Sequence, residues 1–471
     1  MADKFYVTAA IPYVNGSPHL GHSLEFVITD VIQRYQKLRG KKVLCISGSD
    51  ENGQKILETS RREKLSPQEL ANKNTQAFQN HAKNLKVDFD VWRRSTDQKL
   101  HWPGVQELWR RCFKNGDIYK KKYKGLYCVG CEQFYSPKEL VNGKCPEHQR
   151  PPEKIEEENY FFRLSRYQKQ LQKLIKSDEL KVFPKIRKNE TLGFINQNLE
   201  DFSVSRPKGR LGDWGIPVPN DKTQVMYVWF DALTIYMTAI GWGYNQRLWK
   251  RWWPADIHVI GKGIYRFHTV YWPAMLLSAG LPLPKAVLAH GYITSGGQKM
   301  AKSLGNTIDP KNLIKQYGAD AIRYYLLKEI PTQSDGDFTN ERFKEVYNAD
   351  LANGLGNLVS RIAKMAEKDG LAGIKNYEKK ITVTESLEKY EFNQALIKLW
   401  KELRKIDLEI SSFEPWKKGV KERREKLLEW ARKILEFNYQ LQIFLPETAE
   451  KIAQIFGGNK IKITQGLFPR L

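Results

Sequence analysis

Two histidines, His19 and His22, lie three positions apart in the segment SPHLGH, where their side chains could bind an anion. Ser17 and Pro18 precede them and are typical of an N-cap and a first helical position. Apolar residues follow at helical spacing. The N-terminus of a helix presents backbone N–H groups that favour negatively charged ligands. In the other interpretation both imidazoles hydrogen-bond the nearby backbone, and the segment alone leaves the two open.

Two lysines, Lys299 and Lys302, are the second candidate for chemistry. They lie in the glycine-flanked segment GQKMAKSLG, which follows an apolar run. Two ammonium groups on a loop could close over a triphosphate and neutralise the charge that develops as pyrophosphate leaves. Taken by itself, the segment is more simply an exposed basic loop.

A cysteine and histidine cluster predicts a metal site. Cys128 and Cys131 form CxxC, and after thirteen residues Cys145 and His148 form CxxH. This spacing is typical of a closed tetrahedral zinc site, in which the ion is structural because the protein fills all four positions. One such set predicts one zinc ion.

Composition narrows the class of protein. The chain has 471 residues, and 77 Lys and Arg against 53 Asp and Glu give a net charge of +24, which favours a nucleic-acid partner over an anionic membrane. We expect a cytoplasmic protein with no membrane span, because no long apolar run occurs. Five cysteines do not make a disulfide framework in a chain of this length, and Cys45 and Cys112 are expected to be buried apolar thiols.

Four segments differ in pattern. Residues 1–115 alternate strands such as FYVTAAI and KKVLCISGSD with helices, which predicts an α/β fold with a parallel sheet. Residues 116–224 contain a lysine-rich run, YKKKYKG, and the cysteine cluster, and we interpret them as an insertion. Strand-like runs return in residues 225–339 as MYVWFDALT, DIHVIGKG and AVLAHGYIT. Residues 340–471 are helical in pattern.

Three apolar stripes in the last segment predict three amphipathic helices packed as a bundle. The stripes are Leu351, Leu355, Leu358, Ile362 and Met365; Phe392, Leu396, Leu399, Leu403, Ile406 and Ile410; and Leu427, Ala431, Ile434, Leu441 and Leu445.

Taken together, PHLGH and KMAKS resemble the HIGH and KMSKS signatures of class I aminoacyl-tRNA synthetases. Further segments are similar to the methionyl-tRNA synthetase family over essentially the whole chain: AAIPYVNGSPHLGH, GSDENGQKI, YVWFDALTIY, VIGKGIYRFH, HGYITSGGQKMAKS and NGLGNLVSR. The resemblance implies that methionine and ATP, with Mg²⁺, form methionyl-adenylate and pyrophosphate, and that methionine is then transferred to tRNA(Met).

The resemblance also implies an architecture. Residues 1–115 and 225–339 would be the two halves of a Rossmann-type catalytic domain, the second carrying the KMSKS-like loop. Residues 116–224 would be an inserted connective domain with a zinc knuckle, and residues 340–471 a helical-bundle anticodon-binding domain.

The site residues that the resemblance implies fall into three groups. The triphosphate chemistry and ATP binding would involve Gly21, His19, His22, Gly261, Lys299 and Lys302. Asp50 would bind the ammonium group of methionine, and Ile11, Tyr13, Trp229, Tyr236 and His268 would enclose its side chain. The anticodon would be read by Asn353, Asn357, Arg361 and Trp416.

Two of these assignments have independent support from residue chemistry. Asp50 follows a predicted strand, at the edge where parallel sheets bind ligands. A thioether makes favourable contacts with aromatic rings, which suits the proposed aromatic walls. For each aromatic residue taken singly, core packing is the commoner role.

The chain departs from the family pattern at two positions. Gly263 stands where many members have an acid after IGK, and no role is assigned to it. Ala301 replaces the usual serine of KMSKS, a change expected to be mild because Lys299, Lys302 and Ser303 remain.

Two other functions stay open at this level. A class I synthetase of another specificity, such as a cysteinyl type, would need a second ligand cluster to bind a thiolate. A non-catalytic RNA-binding paralogue would be favoured by degraded signatures, whereas both histidines and both lysines are present. Because the chain stops at TQGLFPRL, without the family's optional dimerising appendage, a monomer is expected.

Overall fold

A computed structural model describes residues 3–130, 133–135, 137–146, 149–211, 213–299, 308–463 and 466–471. Its strands are β1 (Lys4–Ala9), β2 (Lys42–Ser49), β3 (Val91–Arg94), β4 (Ile118–Cys128), β5 (Gln133–Tyr135), β6 (Glu153–Phe162), β7 (Lys181–Phe183), β8 (Phe202–Ser203), β9 (Ser205–Pro207), β10 (Pro217–Val218), β11 (Asp221–Met226), β12 (Ile257–Gly261), β13 (Ala286–His290), β14 (Ile293–Ser295), β15 (Gln298–Lys299) and β16 (Gly336–Asp337).

The helices follow in chain order. They are α1 (Leu20–Leu38), α2 (Gln54–Glu63), α3 (Pro67–Asn84), α4 (Trp102–Lys114), α5 (Gln168–Lys176), α6 (Lys185–Ile195), α7 (Lys208–Leu211), α8 (Val228–Thr238), α9 (Gln246–Trp252), α10 (Trp272–Ser278), α11 (Pro310–Tyr317), α12 (Ala319–Glu329), α13 (Asn340–Val346), α14 (Asn357–Lys368), α15 (Thr384–Glu388), α16 (Phe392–Phe413), α17 (Val420–Leu441) and α18 (Pro446–Gly457). Phe267–Tyr271 and Tyr347–Gly356 are π-helical.

The chain forms two compact units. The first comprises Met1–Pro18, Gly40–His81 and Asp88–Ala289, and the second comprises His19–Arg39, Ala82–Val87 and His290–Leu471. The finer division into four segments made from the sequence remains a prediction.

A six-stranded sheet forms the centre of the first unit, in the order β3-β2-β1-β12-β13-β7. The pairs β1–β2, β1–β12, β2–β3 and β7–β13 are parallel. This confirms the predicted α/β fold with a parallel sheet. The chain passes from β1 to β2 on one side, and β12 lies on the other side, so the strand order reverses beside β1. Ligands of open parallel sheets bind at such a point, beyond the carboxyl ends of the strands.

A second sheet of the first unit, β5-β4-β6-β8, is antiparallel and is built from the segment predicted to be an insertion, whose strand β7 belongs instead to the six-stranded sheet. The lysine-rich run lies on β4 opposite the acidic strand β6, with Lys122 paired with Glu158 and Lys124 with Glu156 in register. The Lys124 ammonium lies 2.9 Å from Glu156. Part of this basic run is therefore neutralised within the sheet, as expected for a solvated charged face.

One strand prediction is wrong. MYVWFDALT does not form a strand, because β11 ends at Met226 and helix α8 begins at Val228. All residues of α8 except Trp229 are buried. A helix buried on every side shows no 3.6-residue periodicity, so a short apolar run of this kind cannot be distinguished from a buried strand by its pattern.

The helical C-terminal region lies in the second unit, and its helical character is confirmed. The three predicted stripes correspond to the π-helical segment with α14, to α16 and to α17, except that Leu445 lies beyond α17 and is the N-cap of α18. Every stripe residue except Met365 is buried. Helix α18 was not predicted, and it contributes Ile452 and Phe456 to the core.

A fully buried arginine joins several elements of the second unit. Arg323 of α12 lies 2.7 Å from the Asp30 carboxylate of α1. It also donates to the carbonyl oxygens of Phe444 at 2.7 Å and Leu85 at 3.1 Å. Its five donors in a planar fork suit such a convergence of acceptors. Over the described parts of the chain, no helix has the length and hydropathy of a membrane span.

Candidate active site

The loop after β1 is joined to the end of β2 by backbone hydrogen bonds. Tyr13 and Asp50 form a parallel bridge, Asp50 N donates to Pro12 O at 3.0 Å, and Val14 N donates to Asp50 O at 3.1 Å. The Asp50 residue is 6% exposed. Two of the predicted site residues, Tyr13 and Asp50, are therefore neighbours at the carboxyl edge of the sheet.

Glu51, which the sequence analysis did not single out, holds this loop. Its carboxylate is fully buried and accepts hydrogen bonds from Ser49 Oγ at 2.6 Å, Thr75 Oγ1 at 2.7 Å, Arg94 Nε at 2.6 Å and Thr96 Oγ1. A buried charge with this many donors is stable only in one arrangement. The loop that carries Asp50 is thus anchored through Glu51. The only sign of Glu51 in the sequence was the polar run DEN after an apolar strand.

Three of the predicted methionine-binding residues form one aromatic cluster. Trp229 and Tyr236 are seven positions apart on α8, two helical turns, so they share a face. The Trp229 ring stacks on Phe267 at 3.8 Å with an interplanar angle of 7°. The Tyr236 hydroxyl lies 2.7 Å from His268 Nε2. Ile11 and Trp229 pack against the same apolar core.

His268 is neutral in this cluster. Its Nδ1 lies 3.0 Å from Ile264 O, and because a carbonyl only accepts, Nδ1 carries the proton. Nε2 therefore accepts from the Tyr236 hydroxyl. Burial lowers the pKa of His268 to about 4. Uncharged aromatic groups of this kind are suited to a soft thioether.

The low pKa of His268 predicts a dependence of stability on pH. Below pH 6.5 an imidazole in the unfolded chain takes up a proton that folded His268 does not take up until about pH 4. The free energy of unfolding should therefore fall as the pH falls through this window, with about 3 kcal/mol due to His268. In His268→Gln this contribution is absent, so we expect its free energy of unfolding, measured with urea between pH 6.5 and about pH 4, to fall less than that of the parent protein. If the free energy of unfolding of the variant depended on pH as steeply as that of the parent, His268 would not be a buried neutral imidazole.

The helix that carries the histidine pair begins later than predicted. His19, and not Ser17, is the N-cap of α1, and Pro18 lies outside the helix. His19 Nδ1 accepts from Gly21 N at 3.1 Å, and His22 Nδ1 accepts from His19 N at 3.2 Å. The two side chains replace the expected serine because they complete a reciprocal capping box themselves.

This geometry reconciles the two interpretations of the pair. The backbone contacts use Nδ1 of each ring, so a neutral imidazole carries its proton on Nε2 and remains a donor at that atom. The rings stack at 3.8 Å. A Cβ at residue 21 would lie 2.9 Å from His19 Cε1, so a larger residue there would displace the ring of His19. The role of His19, Gly21 and His22 in ATP binding stays a prediction.

Other predicted site residues are described only in part. Gly261 ends β12, and Lys299 ends β15, where only its backbone is described. Lys302 lies outside the described residues, as do Cys131 and His148. Within the part of the chain that the structure describes, no three His, Cys, Asp or Glu side chains come together as a metal site.

The two described members of the cysteine set share one small cluster. Cys128 and Cys145 are buried together with Tyr135 and the partly buried Leu140. Cys45 and Cys112 are fully buried elsewhere, as predicted, and burial raises the pKa of Cys112 to about 12.

The predicted anticodon residues lie on or near two helices of the bundle. Asn353 and Asn357 are exposed, and Arg361 of α14 lies 2.8 Å from Asp407 of α16. Trp416, in the 3-10 turn after α16, is 57% exposed and is therefore not a core residue.

Comparison with known proteins identifies the family of this chain. A family model described as tRNA synthetases class I (M) matches residues 5–154 and 135–363. The methionine–tRNA ligase of Thermotoga maritima is 40% identical over 95% of this chain and 74% of its own length. That of Rhizobium meliloti is 42% identical over 96% of this chain and 91% of its own.

A solved structure is similar over the whole fold. Mycobacterium tuberculosis methionyl-tRNA synthetase in complex with methionyl-adenylate superposes with a TM-score of 0.93 at 35% identity. The match covers 99% of this chain and 100% of that one.

Proposed function

Because the chain belongs to the methionyl-tRNA synthetase family of class I aminoacyl-tRNA synthetases, we propose that the residues described above bind methionine and ATP and join them. The activity of the chain is that of a methionine–tRNA ligase. Methionine is activated by ATP, used with Mg²⁺, to methionyl-adenylate, and is then transferred to tRNA(Met). The observation that carries the assignment of residues is the neutral aromatic cluster of Trp229, Tyr236 and His268 in the same unit as Asp50.

The proposed roles follow from chemistry. Asp50 binds the ammonium group of methionine, and this leaves the carboxylate of methionine to attack the α-phosphorus of ATP in line. Ile11, Tyr13, Trp229, Tyr236 and His268 enclose the thioether. The carboxylate oxygen forms the new bond to phosphorus while the bond to the leaving pyrophosphate breaks, so no covalent intermediate with the protein is needed.

The triphosphate is assigned to the two signature segments. His19 and His22 donate from Nε2 to phosphate oxygens at the N-terminus of α1, where the backbone N–H groups also favour an anion. Gly21 and Gly261 allow ATP to approach the backbone, and Lys299 and Lys302 neutralise the departing pyrophosphate.

Amino-acid-dependent ATP–pyrophosphate exchange across the twenty amino acids tests the assignment. We expect exchange with methionine far above every other amino acid. If another amino acid gave the highest exchange rate, the chain would still act as a class I synthetase, but the assignment of the methionine-binding residues would be wrong. No exchange from folded, zinc-loaded protein would favour the RNA-binding alternative.

A structural zinc ion is proposed for Cys128, Cys131, Cys145 and His148. The donors that the structure describes fit this ion, because the thiol-bearing residues Cys128 and Cys145 are brought to one buried cluster. The ion would hold the two turns of the connective domain together and would take no part in the reaction.

Zinc analysis tests this site. We expect one zinc per chain in the purified protein and its loss in Cys145→Ser, because a closed site needs all four ligands. Cys45→Ala is the matched control, since Cys45 is equally buried and lies outside the set. Zinc retained by Cys145→Ser, or absent from the parent protein, would contradict the proposal.

Anticodon recognition is proposed for Asn353, Asn357, Arg361 and Trp416. An exposed indole offers a flat surface on which an unstacked base can stack, and amide and guanidinium groups can read base edges. The exposure of Trp416 supports this role.

Trp416→Ala should weaken aminoacylation of tRNA(Met) and leave methionine activation unchanged. Loss of one stacked base is worth about 1–3 kcal/mol, a decrease of about 5- to 150-fold in kcat/KM for tRNA. Ile397→Ala, which removes another exposed apolar side chain from the bundle, is the control. A loss of pyrophosphate exchange in Trp416→Ala would show that the residue is structural.

We also propose that the chain acts in the cytoplasm, where it would meet its tRNA, and that it is a monomer. Sedimentation velocity of the purified protein tests the second statement.

A further inference from the structure

A buried hydrogen-bonded chain links the loop after β2 to helix α8. Asn52 Nδ2 donates to Asp231 Oδ2, and His101 Nε2 lies 2.6 Å from Asp231 Oδ1. His101 Nδ1 lies 2.7 Å from Oγ1 of Thr238, the last residue of α8. Asn52 is 3% exposed, Asp231 1% and His101 0%. We name these residues, with Thr238, the Asp231 chain.

The directions of the two central bonds follow from chemistry. A carboxylate only accepts, so both the Asn52 amide and His101 donate to Asp231. The amide nitrogen of Asn52 must therefore face Asp231, and its carbonyl oxygen must face the other way. A buried carboxylate that lost one of these donors would be left partly unsolvated, which makes this arrangement strongly preferred.

The position of the Asp231 chain gives it a role in the proposed site. Asn52 lies two residues after Asp50, and Asp231 lies on α8 between Trp229 and Tyr236. One hydrogen bond thus joins the loop that carries the proposed ammonium-binding carboxylate to the helix that carries two proposed walls of the methionine pocket. Glu51, held by four side-chain donors, fixes the same loop towards β3 and α3.

We propose that Asp231 is a positioning residue for methionine: through Asn52 it sets the distance between Asp50 and the aromatic residues of α8. This inference rests on the proposed function of Asp50, Trp229 and Tyr236. Asp231 is buried beneath the site and acts through Asn52, so its contribution is to preorganise the pocket. A pocket that is held in its binding arrangement before methionine arrives loses less free energy on binding, so breaking this link should weaken methionine binding.

The first test breaks the link at its loop end. Asn52→Leu keeps a similar side-chain volume and removes the amide donor, while Asp231 keeps His101. We expect KM for methionine in pyrophosphate exchange to rise about tenfold or more, with kcat and KM for ATP changed less than about threefold. Thr234→Val is the matched control, because Thr234 is equally buried on α8 and its hydroxyl bonds only the carbonyl of Phe230, at 2.8 Å, among its described contacts.

The second test restores the hydrogen bond between positions 52 and 231 with its donor and acceptor exchanged. In the double variant Asn52→Asp/Asp231→Asn, the amide at 231 can donate to the carboxylate at 52 and still accept from His101. We expect KM for methionine to return to within about threefold of the parent value. A merely structural role would not produce this recovery, and urea unfolding of each variant separates stability from binding.

The outcomes are distinct. A parent protein without methionine-dependent exchange would overturn the proposed function and this inference together. With an active parent, the inference alone is overturned if Asn52→Leu leaves KM for methionine unchanged, if kcat and both KM values change together, or if the double variant stays as impaired as the single one.

Discussion

Replacing Asp50 by asparagine is expected to lower kcat/KM for methionine in pyrophosphate exchange by about 10²- to 10³-fold. The carboxylate is 6% exposed and is proposed to bind the ammonium group of the substrate. Removing one partner of a buried hydrogen-bonded charge pair costs about 3–4 kcal/mol of binding, which corresponds to this factor. The loss should be in methionine recognition, so KM for ATP should change little.

Asp256→Asn is the control for this prediction. Asp256 is a carboxylate of the same sheet, but it precedes β12 and so lies at the amino edge, where it accepts from Tyr6 N at 2.7 Å and Lys285 Nζ at 2.6 Å. Its neutralisation should leave KM for methionine unchanged. If both variants lose methionine affinity equally, Asp50 does not act by direct charge recognition.

Arg323→Met should destabilise the second unit by about 3–5 kcal/mol, the usual cost of breaking a buried ion pair. The variant removes one partner of Asp30, which keeps Arg34 at 2.6 Å and Gln33 at 2.8 Å, and it removes the donors to the Phe444 and Leu85 carbonyl oxygens. Methionine similarly fills the space, so the loss measures the polar contacts and not a cavity. Urea unfolding followed by circular dichroism measures the change.

Arg342→Met provides the comparison, because Arg342 pairs with Glu329 and Glu345 while its side chain is 47% exposed. Exposed pairs contribute about 0–1 kcal/mol. Equal losses in the two variants would show that burial of Arg323 is not the source of its contribution.

Local patterns in the sequence predicted much of the fold. The apolar runs of β1, β2 and β12 and the helical stripes of α14, α16 and α17 were identified because each element shows its own run or period. The prediction was wrong at α8, whose complete burial removes that period, and at the start of α1, where His19 replaces the expected serine as the cap.

The candidate site was predicted mainly through its motifs. Asp50, Trp229, Tyr236 and His268 were named because they lie in segments that resemble one family, and the structure places the last three in contact. Glu51, Asn52, His101 and Asp231 were missed because the burial and the partners of a polar residue depend on tertiary packing, which no local pattern in the sequence records.

By itself, the sequence determined the family, the parallel sheet, the helical bundle and the residue types available for chemistry, because these depend on short segments of chain. Only the tertiary structure decided which buried polar groups are partners. Asn52 and Asp231 are 179 positions apart, and Asp231 and His101 are 130 apart. Such pairs form because an unpaired buried donor or acceptor is costly once the strands and helices have packed, and that cost exists only in the folded chain.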